Sequence, residues 1–84
     1  MTKRVLIVDD EPPVIEVLKD FFRQFRHTHT YETESAKDGA EALIVLLQGK
    51  FDLILLDMHM PRMGGLEVLK QVRGLGVNVP VIMI

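Results

Sequence analysis

The chain has 84 residues, one small domain or part of one against the usual ~100–200 residues per domain. Hydrophobic residues make up 48% and charged ones 26%, which excludes a disordered tail. The net charge of -2 offers no basic surface for nucleic-acid phosphates, and with no cysteine there is neither a disulfide framework nor a thiolate metal site.

The chain opens Met1-Thr2-Lys3-Arg4, and the apolar run Val5-Leu6-Ile7-Val8 stops at Asp9 and Asp10. That is too short for the roughly 7–15 apolar residues of a secretory segment. No stretch approaches the ~20 apolar residues of a membrane span. The expectation is a soluble, cytoplasmic protein with no direct contact to nucleic acid or membrane.

Val5 to Val8 reads as a strand buried on both faces, as in a parallel sheet. From Pro13 a helical stripe follows through Val14, Leu18, Phe21 and Phe25, with Ile15 and Phe22 beside it. Pro12 and Pro13 suit a first helical turn, where the missing N–H costs nothing. His27 and His29 fall in a polar loop and read as solvated. Thr30 to Ala36 alternates Tyr31, Thr33 and Ser35 with Glu32 and Glu34, the pattern of an edge strand.

Asp38 can cap a second helix that stops at Gly49. Its segment Leu43-Ile44-Val45-Leu46-Leu47 is apolar all round, which suggests either a contact with another chain or deeper burial. Phe51 to Leu56 is a third strand, ended by Asp57. A third helix follows Gly64-Gly65, with Leu66, Leu69 and Val72 inward, and ends near Gly74 or Gly76. Val79 to Ile84 is a fourth strand with Pro80 near its start. Strands alternating with helices imply a three-layer α/β fold with an open parallel sheet and right-handed crossovers over residues 1–84.

Asp9, Asp10 and Asp57 all lie where an apolar strand stops. In an open parallel sheet, neighbouring strands bring their carboxyl ends to one edge, where ligands bind. If the first and third strands are neighbours, three carboxylates converge and repel one another, so either one protonates or a cation sits among them. Oxygen ligands alone favour a hard ion, Mg²⁺ above all. The plainer reading makes Asp9 or Asp10 a helix cap. Asp57 is harder to dismiss, because the loop from Met58 to Gly65 leaves its carboxylate open.

Three segments carry a resemblance: Val5-Leu6-Ile7-Val8-Asp9-Asp10-Glu11, then Asp38-Gly39-Ala40-Glu41-Ala42-Leu43, then Asp52 through Asp57-Met58-His59-Met60-Pro61-Arg62-Met63-Gly64-Gly65. In order and spacing they resemble the receiver domains of bacterial response regulators. The resemblance implies a flavodoxin-like strand order of 2-1-3-4-5, an order for which a member of this family is a standard example. It implies Asp57 as phosphoacceptor, Asp10 as a direct Mg²⁺ ligand, Asp9 assisting through water, and the backbone carbonyl of His59 as a further ligand beside Asp57. It also implies a sensor histidine kinase or phosphotransfer protein as donor, and no enzymatic activity beyond weak self-phosphorylation or dephosphorylation. The His59 imidazole is left without a role, since no ligating partner stands at a suitable spacing.

Two departures matter. Gly64 stands where the family commonly has an acid, so a looser loop is expected. The family's Ser or Thr after the fourth strand, and its Lys at the end of a fifth, have no counterpart, and Lys37, Lys50 and Lys70 do not match that Lys. The expectation is a receiver cut short after the fourth strand, lacking the last strand and last two helices. Its open fourth strand would then pair with a second copy as a homodimer. Two rivals stand beside the phosphoacceptor: a phosphorylation-incompetent interaction module, and a phosphohydrolase. The latter would carry Asp-x-Asp on its first strand, where this chain has adjacent acids.

Overall fold

The computed structural model describes residues 2–25 and 29–84. The elements run β1 (Thr2–Val8), α1 (Pro12–Gln24), β2 (Thr30–Ala36), α2 (Gly39–Gln48), β3 (Leu53–Leu56), α3 (Gly65–Gly74) and β4 (Val81–Met83). All pairings are parallel and the strand order is β2-β1-β3-β4, as the resemblance implied.

Alternation along the strands builds two apolar layers. Leu6, Val8, Ile54 and Leu56 turn towards α2 and α3, where Ala42, Leu46, Val68 and Val72 meet them. Val5, Ile7 and Leu55 turn the other way, onto Ile15 and Phe22 of α1. Val5 to Val8 are 0% exposed, so β1 is the fully enclosed centre of the sheet. This explains its continuous apolar run, and the half-polar β2 lies at an edge as expected.

Several boundaries and faces differ from expectation. Strand β4 begins at Val81 because Pro80 has no N–H to give the ladder, although its carbonyl accepts from Ile54 at 3.0 Å. Strand β3 begins at Leu53. Phe51 is instead buried beneath the Arg4 guanidinium, 4.5 Å from its ring centroid. On α1 the buried stripe is Ile15, Leu18 and Phe22; Phe21 and Phe25 lie on the adjacent, exposed stripe and stack on each other at 5.5 Å. On α3, Val68 takes the inward place expected of Leu66, which is exposed. Ile44 and Leu47 of α2 face solvent, so deeper burial does not account for that helix's all-round apolar character. His29 is half-buried with Nδ1 shielded and unpartnered among the described residues, while His27 lies outside them.

The helix ends follow local chemistry. Pro12 and Pro13 open α1. The Asp38 carboxylate accepts the Glu41 N–H at 2.8 Å and so caps α2. Helix α3 closes with Gly76 at φ 79°, its N–H donating to the Arg73 carbonyl and the Val77 N–H to that of Val72.

Gly65 fixes the approach of α3 to the end of β3. A Cβ there would lie 2.5 Å from the Asp57 carbonyl oxygen and 2.9 Å from Met58 Cα, both backbone atoms that cannot turn aside. Gly74, at the far end of the same helix, has nothing within 4 Å of such a Cβ. Gly65→Ala is therefore expected to cost about 1–3 kcal/mol or more in urea unfolding. Gly74→Ala should be neutral or gain up to about 1 kcal/mol.

Candidate functional site

The parallel register of β1 on β3 pairs Val8 with Leu56, so the next residues, Asp9 and Asp57, leave the sheet side by side. The Asp57 N–H donates to the Val8 carbonyl at 2.9 Å, and the Asp9 N–H to that of Ala36 at 3.0 Å. Both acids are thus anchored through their backbones. Asp9, Asp10 and Asp57 each bring a carboxylate oxygen within 4.8 Å of the other two. Asp9 is buried at 4% exposure, while Asp57 is half-open to solvent.

The cap reading of the acidic pair does not hold. The N-cap of α1 is Glu11, which makes no side-chain cap bond. Asp9 Oδ1 instead accepts the Glu11 N–H at 2.9 Å, folding the loop back over the cluster. Asp57 does the same on its own side, its Oδ1 accepting the His59 N–H at 2.9 Å. His59 is exposed, and its imidazole has no ligating partner among the described residues. Asp52, at the other end of β3, accepts the Arg4 N–H at 2.8 Å and belongs to the opposite edge.

The loop after Asp57 is tightly tied. Met58 donates to Ile84 at 3.0 Å and accepts from Gly65 at 3.2 Å. These bonds run from backbone to backbone, so they form without the acidic side chain that Gly64 lacks. Met60 is buried, and Met63 lies against Gly39, where a Cβ would come 2.7 Å from its sulfur. Between them the Met63 N–H donates to the Pro61 carbonyl at 2.8 Å across Arg62, whose φ is 69°. This is the strained form of the γ-turn. Arg62 is the only described residue other than glycine with positive φ, a strain of about 1–3 kcal/mol. No sequence pattern had signalled it.

Such a cluster favours a hard divalent cation. The donors are all oxygens, their charges repel, and nothing softer stands among them. The strain shows at Asp9, whose pKa is raised above the ordinary 3.8, first by burial and then by the Asp57 and Asp10 charges, against the Glu11 N–H, which lowers it. The folded protein therefore holds a proton at Asp9 more readily than the unfolded chain. Stability falls as pH rises from 3.8 through the raised folded value, and the loss persists above it. With divalent ions chelated, Asp9→Asn should melt higher than the parent at pH 7, its amide oxygen still accepting from Glu11. That advantage should vanish below pH 3.8 in a melting series against pH.

Comparison with known proteins agrees with this geometry. The family model described as the response regulator receiver domain matches residues 5–84. The response regulator MprA of Mycobacterium tuberculosis is 39% identical over all 84 residues, which make up 35% of its length. The chain thus spans about a third of the curated relatives it matches. Among solved structures, the response regulator TrrA of Thermotoga maritima, in complex with Mg²⁺ and BeF, superposes with a TM-score of 0.86 at 38% identity. That match covers 96% of this chain and 67% of TrrA. The chemotaxis protein CheY4 of Vibrio cholerae gives a TM-score of 0.88 at 33% identity, covering 99% of this chain and 68% of its own. With its sheet order, its acidic cluster and its sequence all in agreement, the chain belongs to the response regulator receiver domains.

Proposed function

We propose that this chain is the phosphoacceptor module of a two-component phosphorelay, with Asp57 receiving a phosphoryl group from the phosphohistidine of a sensor kinase or phosphotransfer protein in the cytoplasm. The observation that carries the reading is the half-open Asp57 carboxylate, the first residue past an apolar strand, joined by two more carboxylates within 4.8 Å. Asp57 is the nucleophile. One of its oxygens forms the bond to phosphorus while the bond from phosphorus to the donor nitrogen breaks, and the electron pair leaves with the imidazole. The His59 N–H holds Asp57 Oδ1, which leaves Oδ2 to attack.

Asp10 would hold Mg²⁺ directly and Asp9 through water, with the His59 carbonyl and Asp57 completing the protein ligands. The bound ion would screen the charge on the transferring oxygens. Asp9, buried and held by the Glu11 N–H, keeps the cluster's geometry fixed on the β1 side. The module is an acceptor and not an enzyme, with only weak self-phosphorylation or dephosphorylation.

A second reading has its own observation. Ile82 of β4, at one end of the strand order, and Ile84 just after that strand are 50% and 45% exposed, an apolar edge suited to pairing with a second copy. Incubation with a small phosphodonor and Mg²⁺, followed by intact-mass analysis, separates the two. The expected result is slow addition of one phosphoryl group that Asp57→Asn abolishes and Asp52→Ala leaves in place. No labelling, with a dimer in light scattering that Ile82→Lys dissociates, would favour the interaction module.

A further inference from the structure

Transfer to Asp57 brings an anionic donor up against three carboxylates. Positive charge on the same edge of the sheet would favour its approach. The topology leaves few sources. All strands run parallel, so their carboxyl ends share one edge. The cations of β1 and of the turn before β3 stand at the opposite edge, and those of α1 and α3 lie along helices. Among the described residues only Lys37, directly after β2, and Arg62, in the loop that Asp57 begins, lie in loops at the phosphoacceptor edge.

The two differ in how they are held. Lys37 follows an edge strand that β1 separates from β3. Arg62 sits at the centre of the γ-turn, at φ 69°, a conformation glycine would adopt without strain. It is exposed, and among the described residues it makes no hydrogen bond or ion pair, Asp38 included. It borders a cleft of about 240 Å³ with Asp38, Gly39, Ala40, Pro61 and Met63. A long cation is thus kept in a backbone conformation that costs stability, with no partner among the described residues. Strain of this kind gathers at sites of function.

We infer that Arg62 is a donor-recognition residue: its guanidinium meets the anionic oxygens of the incoming phosphodonor and draws the phosphoryl group towards Asp57. This rests on the reading of Asp57 as phosphoacceptor. Arg62 forms and breaks no covalent bond. The guanidinium stays protonated throughout, and its planar fork suits phosphoryl oxygens.

The test is the initial rate of labelling at sub-saturating donor, with Mg²⁺. Dianionic acetyl phosphate is compared with monoanionic phosphoramidate at low and high ionic strength. With acetyl phosphate at low salt, Arg62→Gln and Arg62→Gly should each slow labelling about tenfold. Arg62→Lys should restore most of the rate, and the loss should shrink with phosphoramidate or in high salt. Arg62→Gly should melt no lower than the parent, which separates the rate from any damage to the fold. Lys37→Gln, the same change in net charge, should have little effect. Rates equal to the parent in Arg62→Gln and Arg62→Gly would overturn the inference, as would an equal loss in Lys37→Gln. A parent protein that takes no label on Asp57 would instead overturn the phosphoacceptor reading, and this one with it.

Discussion

The parallel pairing of β1 with β3 is the constraint on which the site depends. Because Val8 stands opposite Leu56, the chain is obliged to set Asp9 beside Asp57 as both strands end. A slip of one residue would exchange the two faces of β3, turning Ile54 and Leu56 onto the α1 layer and Leu55 onto the α2 and α3 layer, as well as separate the acids, so core packing and acid placement are fixed by one register. Val5 to Val8 and Ile54 to Leu56 are all nearly inaccessible to solvent. Fully burying one such side chain is worth about 1.5–3 kcal/mol. That is ample to hold together carboxylates that would otherwise move apart.

The opposite edge of the sheet shows what the same residue types do when their task is structural. There Arg4 donates to the Lys50 carbonyl at 3.0 Å, pairs with Glu34 at 3.1 Å and covers the Phe51 ring, while Asp52 takes the Arg4 N–H. Cation and acid meet, and charges are neutralised within the chain. At the edge that carries Asp57 three acids meet without a cation between them among the described residues, and Arg62, in the loop that Asp57 begins, has no partner there either. One edge pairs its charges among its own residues; the other gathers charges of one sign.

Much of this was legible in the sequence. Strands buried on both faces announce themselves as continuous apolar runs, and Asp38, Gly49 and the paired prolines mark helix ends by chemistry confined to a few residues. The acids were visible because each directly ends an apolar run. What escaped was decided over longer distances. The choice between the Phe21 and Phe22 stripes on α1 turns on a rotation set by the sheet beneath, since both are apolar at helical spacing. Leu66 and Val68 exchange roles for the same reason, once Gly65 seats α3 against the Asp57 and Met58 backbone. The γ-turn at Arg62 left no trace, because arginine has no preference for positive φ and no neighbouring residue type marks such a turn.

The clustered carboxylates form a site whose mutual repulsion a hard cation would relieve. The most direct test is the melting temperature of the protein as Mg²⁺ is added at constant ionic strength and neutral pH. Binding to the folded state alone should raise stability by about 1.4 kcal/mol at ten times the dissociation constant. For a domain of this size that is a saturable rise of roughly 5–10 °C, and Asp10→Asn should remove most of it. A midpoint that does not respond to Mg²⁺, or that rises equally in Asp10→Asn, would contradict the account.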